Sequence, residues 1–162
     1  MMNNTNMKKA RPLPISEKDT ISEGRDLPPE KTFMKGKIFV DTNILIYAHD
    51  IDERKKHGIA AEIVEQLWET RTGVISIQVL QEFYVNLTRK ILHPMPLAEA
   101  RGLVENYLLW TVETNKPQTI LAASEIEERH KISFWDALII TAARQARAEK
   151  VLTEDLNHGQ TI

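Results

Sequence analysis

Short apolar runs alternate with amphipathic helical stripes along this chain, and the alternation narrows the choice of fold more than any other feature. Four runs are rich in β-branched and aromatic residues, which is typical of strands: residues 37–40, 73–77, 110–112 and 150–153. Between them, apolar residues recur at helical spacing, as at Ile59, Ile63 and Leu67. Short apolar strands separated by helices favour a parallel sheet that is covered on both faces. We therefore expect an α/β fold, with a central parallel sheet of four to five short strands flanked by helices.

Length and composition favour one water-soluble domain. The chain has 162 residues, of which 42% are apolar and 27% charged. The absence of cysteine excludes disulfides and thiolate zinc sites. No apolar run approaches the roughly 18 residues of a membrane span, and the first 36 residues lack the apolar stretch of a secretory signal. We expect a cytoplasmic protein that has no membrane contact.

The first 36 residues differ from the rest of the chain. They contain four prolines, three asparagines and scattered charges, and they show neither a strand period nor a helix period. We expect residues 1–36 to form a disordered N-terminal tail and residues 37–162 to form the folded domain.

Charge alone does not indicate what the protein binds. The formal net charge is −2, from 23 acidic and 21 basic residues, whereas nucleic-acid-binding domains are usually basic. A local cationic patch can still hold a nucleic-acid backbone. The best candidates are 54–56, with the sequence Arg-Lys-Lys, and the group Arg144, Arg147 and Lys150.

Four acidic residues fall near the ends of the predicted strands or the starts of helices. Asp41 directly follows the first strand, and Asp155 follows the last. Glu82 lies near the start of the helix after the second strand, and Asp136 lies in the first turn of another helix. Since parallel strands share one carboxyl edge, where ligands of open α/β sheets bind, all four side chains are expected in one crevice.

Four carboxylates in one crevice need protons or a cation. Each pair at contact distance repels by about 4 kcal/mol at an effective dielectric constant near 20. A site with oxygen ligands and no cysteine or histidine favours Mg²⁺ or Mn²⁺ over zinc. Such ions bind phosphate oxygens and activate water, so hydrolysis of a phosphodiester follows as the expected chemistry.

Each acid also has a purely structural interpretation. Asp41 would cap the helix that begins at Thr42, and Ser133 with Asp136 has the spacing of a capping box. Asp155 would belong to a turn, and Glu82 would lie beside an apolar helix stripe. Taken singly, the structural interpretations are preferred, but together they have to explain four coincidences.

Four segments resemble the four sequence motifs of PIN domains, in the same order. They are residues 40–47 (VDTNILIY), 80–83 (LQEF), 133–139 (SFWDALI) and 152–156 (LTEDL). The resemblance runs from about residue 37 to the end. A small chain with a single PIN domain is similar to the VapC-type toxins of toxin–antitoxin pairs.

The resemblance implies a function and a set of site residues. PIN-domain proteins of this type are ribonucleases that depend on Mg²⁺ or Mn²⁺, act on RNA, usually form homodimers and are silenced by a cognate antitoxin. The catalytic and metal-binding acids would be Asp41, Glu82, Asp136 and Asp155. The supporting polar residues would be Thr42, Asn43 and Thr153, and Glu154 competes with its neighbour for the fourth position.

Two departures from the family bear on activity. The N-terminal tail is longer than usual, and the chain ends at Ile162, where related chains usually continue through one more short strand. A missing C-terminal strand would weaken the sheet. The alternative function is therefore a catalytically weakened PIN module that binds RNA or an antitoxin without cutting. An aspartyl-phosphate phosphatase is less favoured, because such enzymes need an acid where this chain has Asn43.

The histidines and tryptophans are assigned no catalytic role. The five histidines, from His49 to His158, lack the spacing of metal ligands and are expected at the surface or in turns. Trp68, Trp110 and Trp135 are expected to pack within the fold rather than to stack on bases.

Overall fold

The structure, a computed structural model, describes residues 36–154, in which four strands alternate with six α-helices. The strands are β1 (Ile38–Val40), β2 (Gly73–Ser76), β3 (Thr111–Glu113) and β4 (Lys150–Leu152). The helices are α1 (Thr42–His49), α2 (Arg54–Thr70), α3 (Ile77–Arg89), α4 (Leu97–Tyr107), α5 (Pro117–His130) and α6 (Phe134–Gln145), with a 3₁₀ turn at Ile51–Glu53. All but the last residue of the predicted tail, and the segment 155–162 with Asp155, lie outside the described residues.

The four strands form one sheet in the order β3-β2-β1-β4, and every neighbouring pair is parallel. Phe39 of β1 is in register with Val74 on one side and Val151 on the other. The two inner strands are completely buried, whereas the edge strands β3 and β4 are partly exposed. This confirms the predicted parallel sheet, and it explains why the inner strands are the most continuously apolar.

The helices cover both faces of the sheet. One group consists of α2 and α3, which contact β2, and α1, which packs on both of them. The other group consists of α6, which contacts β2, β3 and β4, and α5, which packs on α6. Because the chain runs from β1 to β3 and then returns to β4, right-handed crossovers place the two groups on opposite faces. Over residues 36–154, no helix combines the length and apolar character that crossing a membrane requires.

The strand order reverses beside β1, and this is where a site is expected in an open α/β sheet. The first three strands lie side by side in chain order, and β4 is added on the other side of β1. The segments that follow β1 and β4 are therefore neighbours. The backbone N–H of Asp41 donates to the carbonyl of Leu152 at 2.9 Å, which joins the ends of these two strands directly.

A cluster of aromatic rings fills the space beside β2. Tyr107 lies edge-on to Trp110 and Phe83, with ring centroids 5.1 and 5.5 Å apart, and Trp68 lies 5.3 Å from Trp110. The predicted packing roles of Trp68 and Trp110 are confirmed. His49 also belongs to this cluster, since its ring lies 5.5 Å from that of Phe83. The prediction that His49 lies at the surface or in a turn was wrong.

Gly73→Ala is expected to destabilise the protein by about 1–3 kcal/mol, the usual cost of overpacking a core. A methyl group at position 73 would lie 2.5 Å from two ring carbons of Trp110. Trp110 cannot move away easily, because it is 9% exposed and held between Trp68 and Tyr107. Urea unfolding monitored by far-ultraviolet circular dichroism measures the change.

Gly58→Ala is the matched control for this prediction. Gly58 lies in α2, and a methyl group there would meet no atom within 4 Å. Because alanine has the higher helix propensity, this variant is expected to be more stable by up to about 1 kcal/mol. Equal stability of the two alanine variants would contradict the proposed clash with Trp110.

Candidate functional site

A cleft of about 170 Å³ lies at the carboxyl edge of the sheet, at the point where the strand order reverses. Its lining comes from three helix starts and the face of α3: Asp41, Thr42, Asn43, Gln78, Glu82, Asn86, Trp135, Asp136 and Ile139. The structure therefore brings together three of the four predicted acids and two of the three predicted supporting residues. The third supporting residue, Thr153, contacts the cleft by a hydrogen bond to Asp41.

Asp41 lies at the end of β1 and is only 8% exposed. As the N-cap of α1, it accepts a hydrogen bond from the backbone N–H of Thr42 at 2.7 Å. Its second carboxylate oxygen accepts one from the hydroxyl of Thr153 at 2.8 Å. The structural interpretation of Asp41 as a helix cap is thus correct, and the same position aims its carboxylate into the cleft.

Glu82 projects from the second turn of α3, which begins where the hydroxyl of Ser76 accepts a hydrogen bond from the N–H of Val79. The hydroxyl of Thr42 donates to one carboxylate oxygen of Glu82 at 2.8 Å. The side-chain amide of Gln78 donates to the other at 2.9 Å. The first bond links α1 to α3, so residues 40 positions apart in the sequence are fixed against each other across the cleft.

Asp136 lies in the first turn of α6, where Ser133 is the N-cap. The hydroxyl of Ser133 accepts a hydrogen bond from the backbone N–H of Asp136 at 3.1 Å and donates to its carboxylate at 2.7 Å. The predicted pairing of these two residues is confirmed, although the carboxylate accepts from the serine hydroxyl rather than from the backbone. The start of a helix carries partial positive charge, which stabilises the ionised carboxylate.

The three carboxylates share one mode of support, since each accepts a hydrogen bond from a hydroxyl group. The donors are Thr153 for Asp41, Thr42 for Glu82, and Ser133 for Asp136. A hydroxyl orients a carboxylate without neutralising it, because the carboxylate keeps its negative charge when it accepts a hydrogen bond. The described lining contains no lysine or arginine, so it does not neutralise the acids by ion pairing.

The donor set fits a hard divalent cation by its chemistry. Carboxylate and amide oxygens line the cleft, and the described lining has no sulfur or imidazole ligand. Within residues 36–154, no three acidic or histidine side chains are grouped closely enough to form a ready-made metal site. The described part of the cleft therefore offers the right ligand type without a complete coordination set.

Glu154, the competitor for the fourth acidic position, is engaged elsewhere. Its carboxylate accepts a hydrogen bond from the ammonium group of Lys56 at 2.8 Å and another from the hydroxyl of Tyr47. The bond from Lys56, supported by that from Tyr47, lowers the pKa of Glu154 below its usual value. Glu154 does not line the cleft. Asp155 lies outside the described residues, so its place in the site stays a prediction.

Several residues that line the cleft were not predicted from the sequence. Gln78 and Asn86 precede and follow Glu82 by four residues, and this helical spacing was a signal that could have found them. Trp135 was expected to pack within the fold, but it is 63% exposed and lines the cleft, so that prediction was wrong. Nothing in the sequence separates Trp135 from the apolar residues around it.

A second, larger groove adjoins the cleft at Asn86. Its volume is about 400 Å³, and Ile46, Asp50, Asp52, Glu53, Lys90, Ile91 and Leu92 complete its lining. It contains none of the predicted site acids, so size alone does not identify the functional cavity. The cleft with Asp41, Glu82 and Asp136 remains the candidate because hydroxyl donors hold all three acids there.

Comparisons with known proteins identify the fold. The family model of the PIN domain matches residues 38–161. Among solved structures, the chain is similar to VapC20 of Mycobacterium tuberculosis, a toxin that cleaves the sarcin-ricin loop. The two are 24% identical, the TM-score is 0.57, and the match covers 74% of this chain and 92% of VapC20. A search of curated proteins found no match. The chain therefore belongs to the PIN-domain family.

Proposed function

We propose that this chain is a metal-dependent endoribonuclease that hydrolyses RNA phosphodiesters as the toxin of a toxin–antitoxin pair. The observation that carries the proposal is the convergence of Asp41, Glu82 and Asp136 on one cleft at the carboxyl edge of the sheet. Two further findings support it. The chain belongs to the PIN-domain family, whose members are nucleases, and its fold is similar to that of VapC20, an RNA-cleaving toxin.

The cation that fits this cleft is Mg²⁺ or Mn²⁺. The residues that would hold it are the three acids of the cleft together with Asp155, which follows Thr153 by two positions. When bound, such an ion supplies positive charge to the phosphate oxygens and activates water for attack. Its charge is also needed for binding, because RNA phosphate is repelled by a cleft lined by three carboxylates.

The chain's own hydroxyl groups orient the carboxylates of the cleft. The hydroxyls of Thr42, Thr153 and Ser133 each hold one carboxylate, so the acids keep their directions when a ligand enters. Asn43 lines the cleft beside Thr42 and is a supporting residue in this proposal. Burial of Asp41 excludes part of the water that would otherwise screen charge there.

The wider setting follows from the same proposal. We infer a folded domain over residues 37–162, a cognate antitoxin that silences the enzyme, a homodimeric state and a cytoplasmic location. The likeness in fold to the toxin VapC20 supports the antitoxin and the RNA substrate.

Cleavage of RNA by the purified full chain is expected only when Mg²⁺ or Mn²⁺ is present. The assay uses an end-labelled RNA hairpin with the sequence of the sarcin-ricin loop, beside an unrelated hairpin. A chelator should abolish cleavage and added metal should restore it, because the three carboxylates of the cleft repel the phosphate and the described lining contains no lysine or arginine. Cleavage that persists in the chelator would overturn the proposal, and metal-independent binding without turnover would favour the weakened module instead.

Two Glu→Gln variants give the matched control for this assay. Glu82→Gln removes a charge from the cleft, whereas Glu154→Gln removes one that is paired with Lys56 outside it. Glu82→Gln should lose activity by about 100-fold or more, as when one group that stabilises charge in the transition state is removed. Glu154→Gln should retain most of its activity. The reverse order would show that the cleft is not the site.

A further inference from the structure

Trp135 is an exposed aromatic side chain on the wall of the acidic cleft. It is 63% exposed, whereas Trp110 is 9% exposed and packs with Trp68 in the aromatic cluster beside β2. Tryptophan has a large apolar surface, and leaving it in water forgoes the stabilisation that burial would give. The indole lies on the wall of the cleft with the three carboxylates, so it is a contact surface for a molecule that binds in the cleft.

The packing of α6 does not need the Trp135 ring. Its neighbour Phe134 is the residue that packs against the apolar cluster between α5 and α6, which includes Ile126 and Leu138. The Phe134 and Trp135 rings meet edge-on, with centroids 5.9 Å apart. Phe134 thus anchors the start of α6, and the Trp135 ring projects beside the cleft that Asp136 also lines.

The cleft combines charged and apolar groups. The three acids come from the start of α1, from α3 and from α6, and Trp135 and Ile139 of α6 add the apolar groups. A nucleotide has the same combination, since its phosphate seeks a cation and its base presents an apolar face. The described lining contains no lysine or arginine. The described lining therefore offers no ion pair to RNA phosphate, and stacking on Trp135 is one contribution that it can make.

We propose that Trp135 stacks on an unpaired nucleobase of the RNA and thereby positions the adjoining phosphodiester against Asp41, Glu82 and Asp136. The inference rests on the proposed ribonuclease function and deepens it by assigning a residue that binds and positions the RNA. A base inside a duplex has both faces covered, so only a loop, bulge or single strand can offer a face to the indole. Trp135 is in this view a binding and positioning residue, and the acids are the catalytic residues.

Binding of RNA hairpins to Trp135→Leu and Trp135→Phe tests the proposal. Fluorescein-labelled hairpins with single-stranded loops are titrated with the full chain in Mg²⁺, in an Asp41→Asn background that separates binding from turnover. Trp135→Leu should weaken binding by about tenfold or more, and Trp135→Phe by much less, as expected when one base–aromatic stack is lost or reduced. Leu109→Ala, which truncates an apolar side chain that is 80% exposed and outside the cleft, is the matched control and should bind like the parent.

An abasic substitution scanned through the loop separates stacking from a structural role. At one loop position, removal of the base should weaken binding to the protein with Trp135 about as much as Trp135→Leu does. The same removal should hardly weaken binding to Trp135→Leu any further. Unchanged binding by Trp135→Leu, or a loss that is the same at every abasic position, would overturn the proposal. A change of oligomeric state in sedimentation, with RNA binding intact, would overturn it in favour of a protein contact.

Cleavage is measured in parallel with Asp41 restored, so that the two proposals fail separately. If no RNA is cut but the abasic coupling to Trp135 is present, the ribonuclease function is wrong and the stacking role stands. If RNA is cut and Trp135→Leu has the KM and kcat of the parent, the stacking role is wrong and the ribonuclease function stands. When both proposals hold, the effect of Trp135→Leu depends on where the coupled base lies. The variant should have a lower kcat if that base adjoins the cleaved bond, and mainly a higher KM if the base lies farther from it.

Discussion

Asp41→Asn is expected to abolish RNA cleavage and to leave the fold at least as stable as before. Asp41 ends β1 at the point of strand reversal, and it lies in the cleft with Glu82 and Asp136. Loss of its charge should lower activity by at least about 100-fold, the effect of removing one electrostatic contributor to a transition state. The amide oxygen of asparagine can still accept the hydrogen bond from Thr42, so the cap of α1 survives. One negative charge fewer in the metal-free cleft reduces repulsion, which favours folding.

This combination of effects distinguishes a functional acid from a structural one. The measurements are RNA cleavage in Mg²⁺ and thermal unfolding in chelator and in Mg²⁺. Addition of Mg²⁺ should raise the unfolding temperature of the parent more than that of Asp41→Asn, because the ion stabilises the form it binds. Asp52→Asn is the control, since Asp52 is exposed, pairs with His93 and lies outside the cleft. Substantial cleavage by Asp41→Asn, or a clearly lower unfolding temperature in chelator, would refute the assignment.

The order of elements could be predicted from apolar periodicity because the two inner strands are buried on both faces. The ends of elements were less accurate, and each error has a local cause. Ile77 was assigned to the second strand, but Ser76 caps α3 and Ile77 is its first residue. A residue composition typical of helices continues to about Glu149, whereas α6 ends at Gln145, and Arg147 has a left-handed φ of 57°. The alanines at positions 146 and 148 prolong a helical composition past the true end, so the pattern alone could not show the stop.

The first residue of α2 could not be predicted from the sequence for a different reason. The apolar stripe becomes visible at Ile59, but the helix already begins at Arg54. Its first turn is exposed and polar, so burial leaves no periodic mark there. An amphipathic pattern arises only where a helix packs on a core, so a helix turn that extends beyond the core shows no such pattern.

The acids of the site were predictable from position, but their partners were not. Strand ends and helix starts locate Asp41 and Asp136 by topology alone. The bond from Thr42 to Glu82 joins residues 40 positions apart, and that from Thr153 to Asp41 joins residues 112 apart. Such pairings depend on the exact register of the sheet and the rotation of α3, which a hydrophobic pattern does not specify. The exposure of Trp135 likewise depends on which of two adjacent aromatic residues faces α5.

His49 shows how burial can contradict expectation from residue type. Its ring nitrogen Nε2 and the hydroxyl of Tyr107 lie 2.9 Å apart and share a hydrogen bond, and Phe83 packs on the ring. Tyr107 is 58 positions away in the sequence, so no local signal reveals the pairing. Burial, together with the charge of the nearby His57, lowers the pKa of His49 from 6.5 to about 4. His49 is therefore a partly buried, neutral member of the aromatic cluster at neutral pH.

Stability is expected to fall as the pH is lowered from about 6.5 to about 4, by up to about 3 kcal/mol from His49 alone. In this window the unfolded chain protonates His49 and the folded chain does not, so the unfolded state binds more protons and is favoured by acid. Above pH 6.5 both states are neutral at this position and its contribution is constant. Below pH 4 both are protonated, and the loss from this group stops. The free energy of unfolding in urea, measured in chelator at intervals from pH 7.5 to 4.5, gives the slope.

The His49→Gln variant isolates this contribution, because glutamine stays neutral and can still bond to the hydroxyl of Tyr107. The slope of unfolding free energy against pH should be shallower in His49→Gln than in the parent between pH 6.5 and 4.5.

His93→Gln is a control of opposite sign. His93 is exposed, and its hydrogen bond with Asp52 raises the pKa of the imidazole, so its contribution is present at low pH and is lost as the pH rises through the folded value. Replacing His93 should therefore make the fall in unfolding free energy at low pH slightly steeper. Parallel slopes for the parent and His49→Gln would mean that His49 is protonated alike in the folded and unfolded chain, and that the aromatic cluster does not exclude its charge.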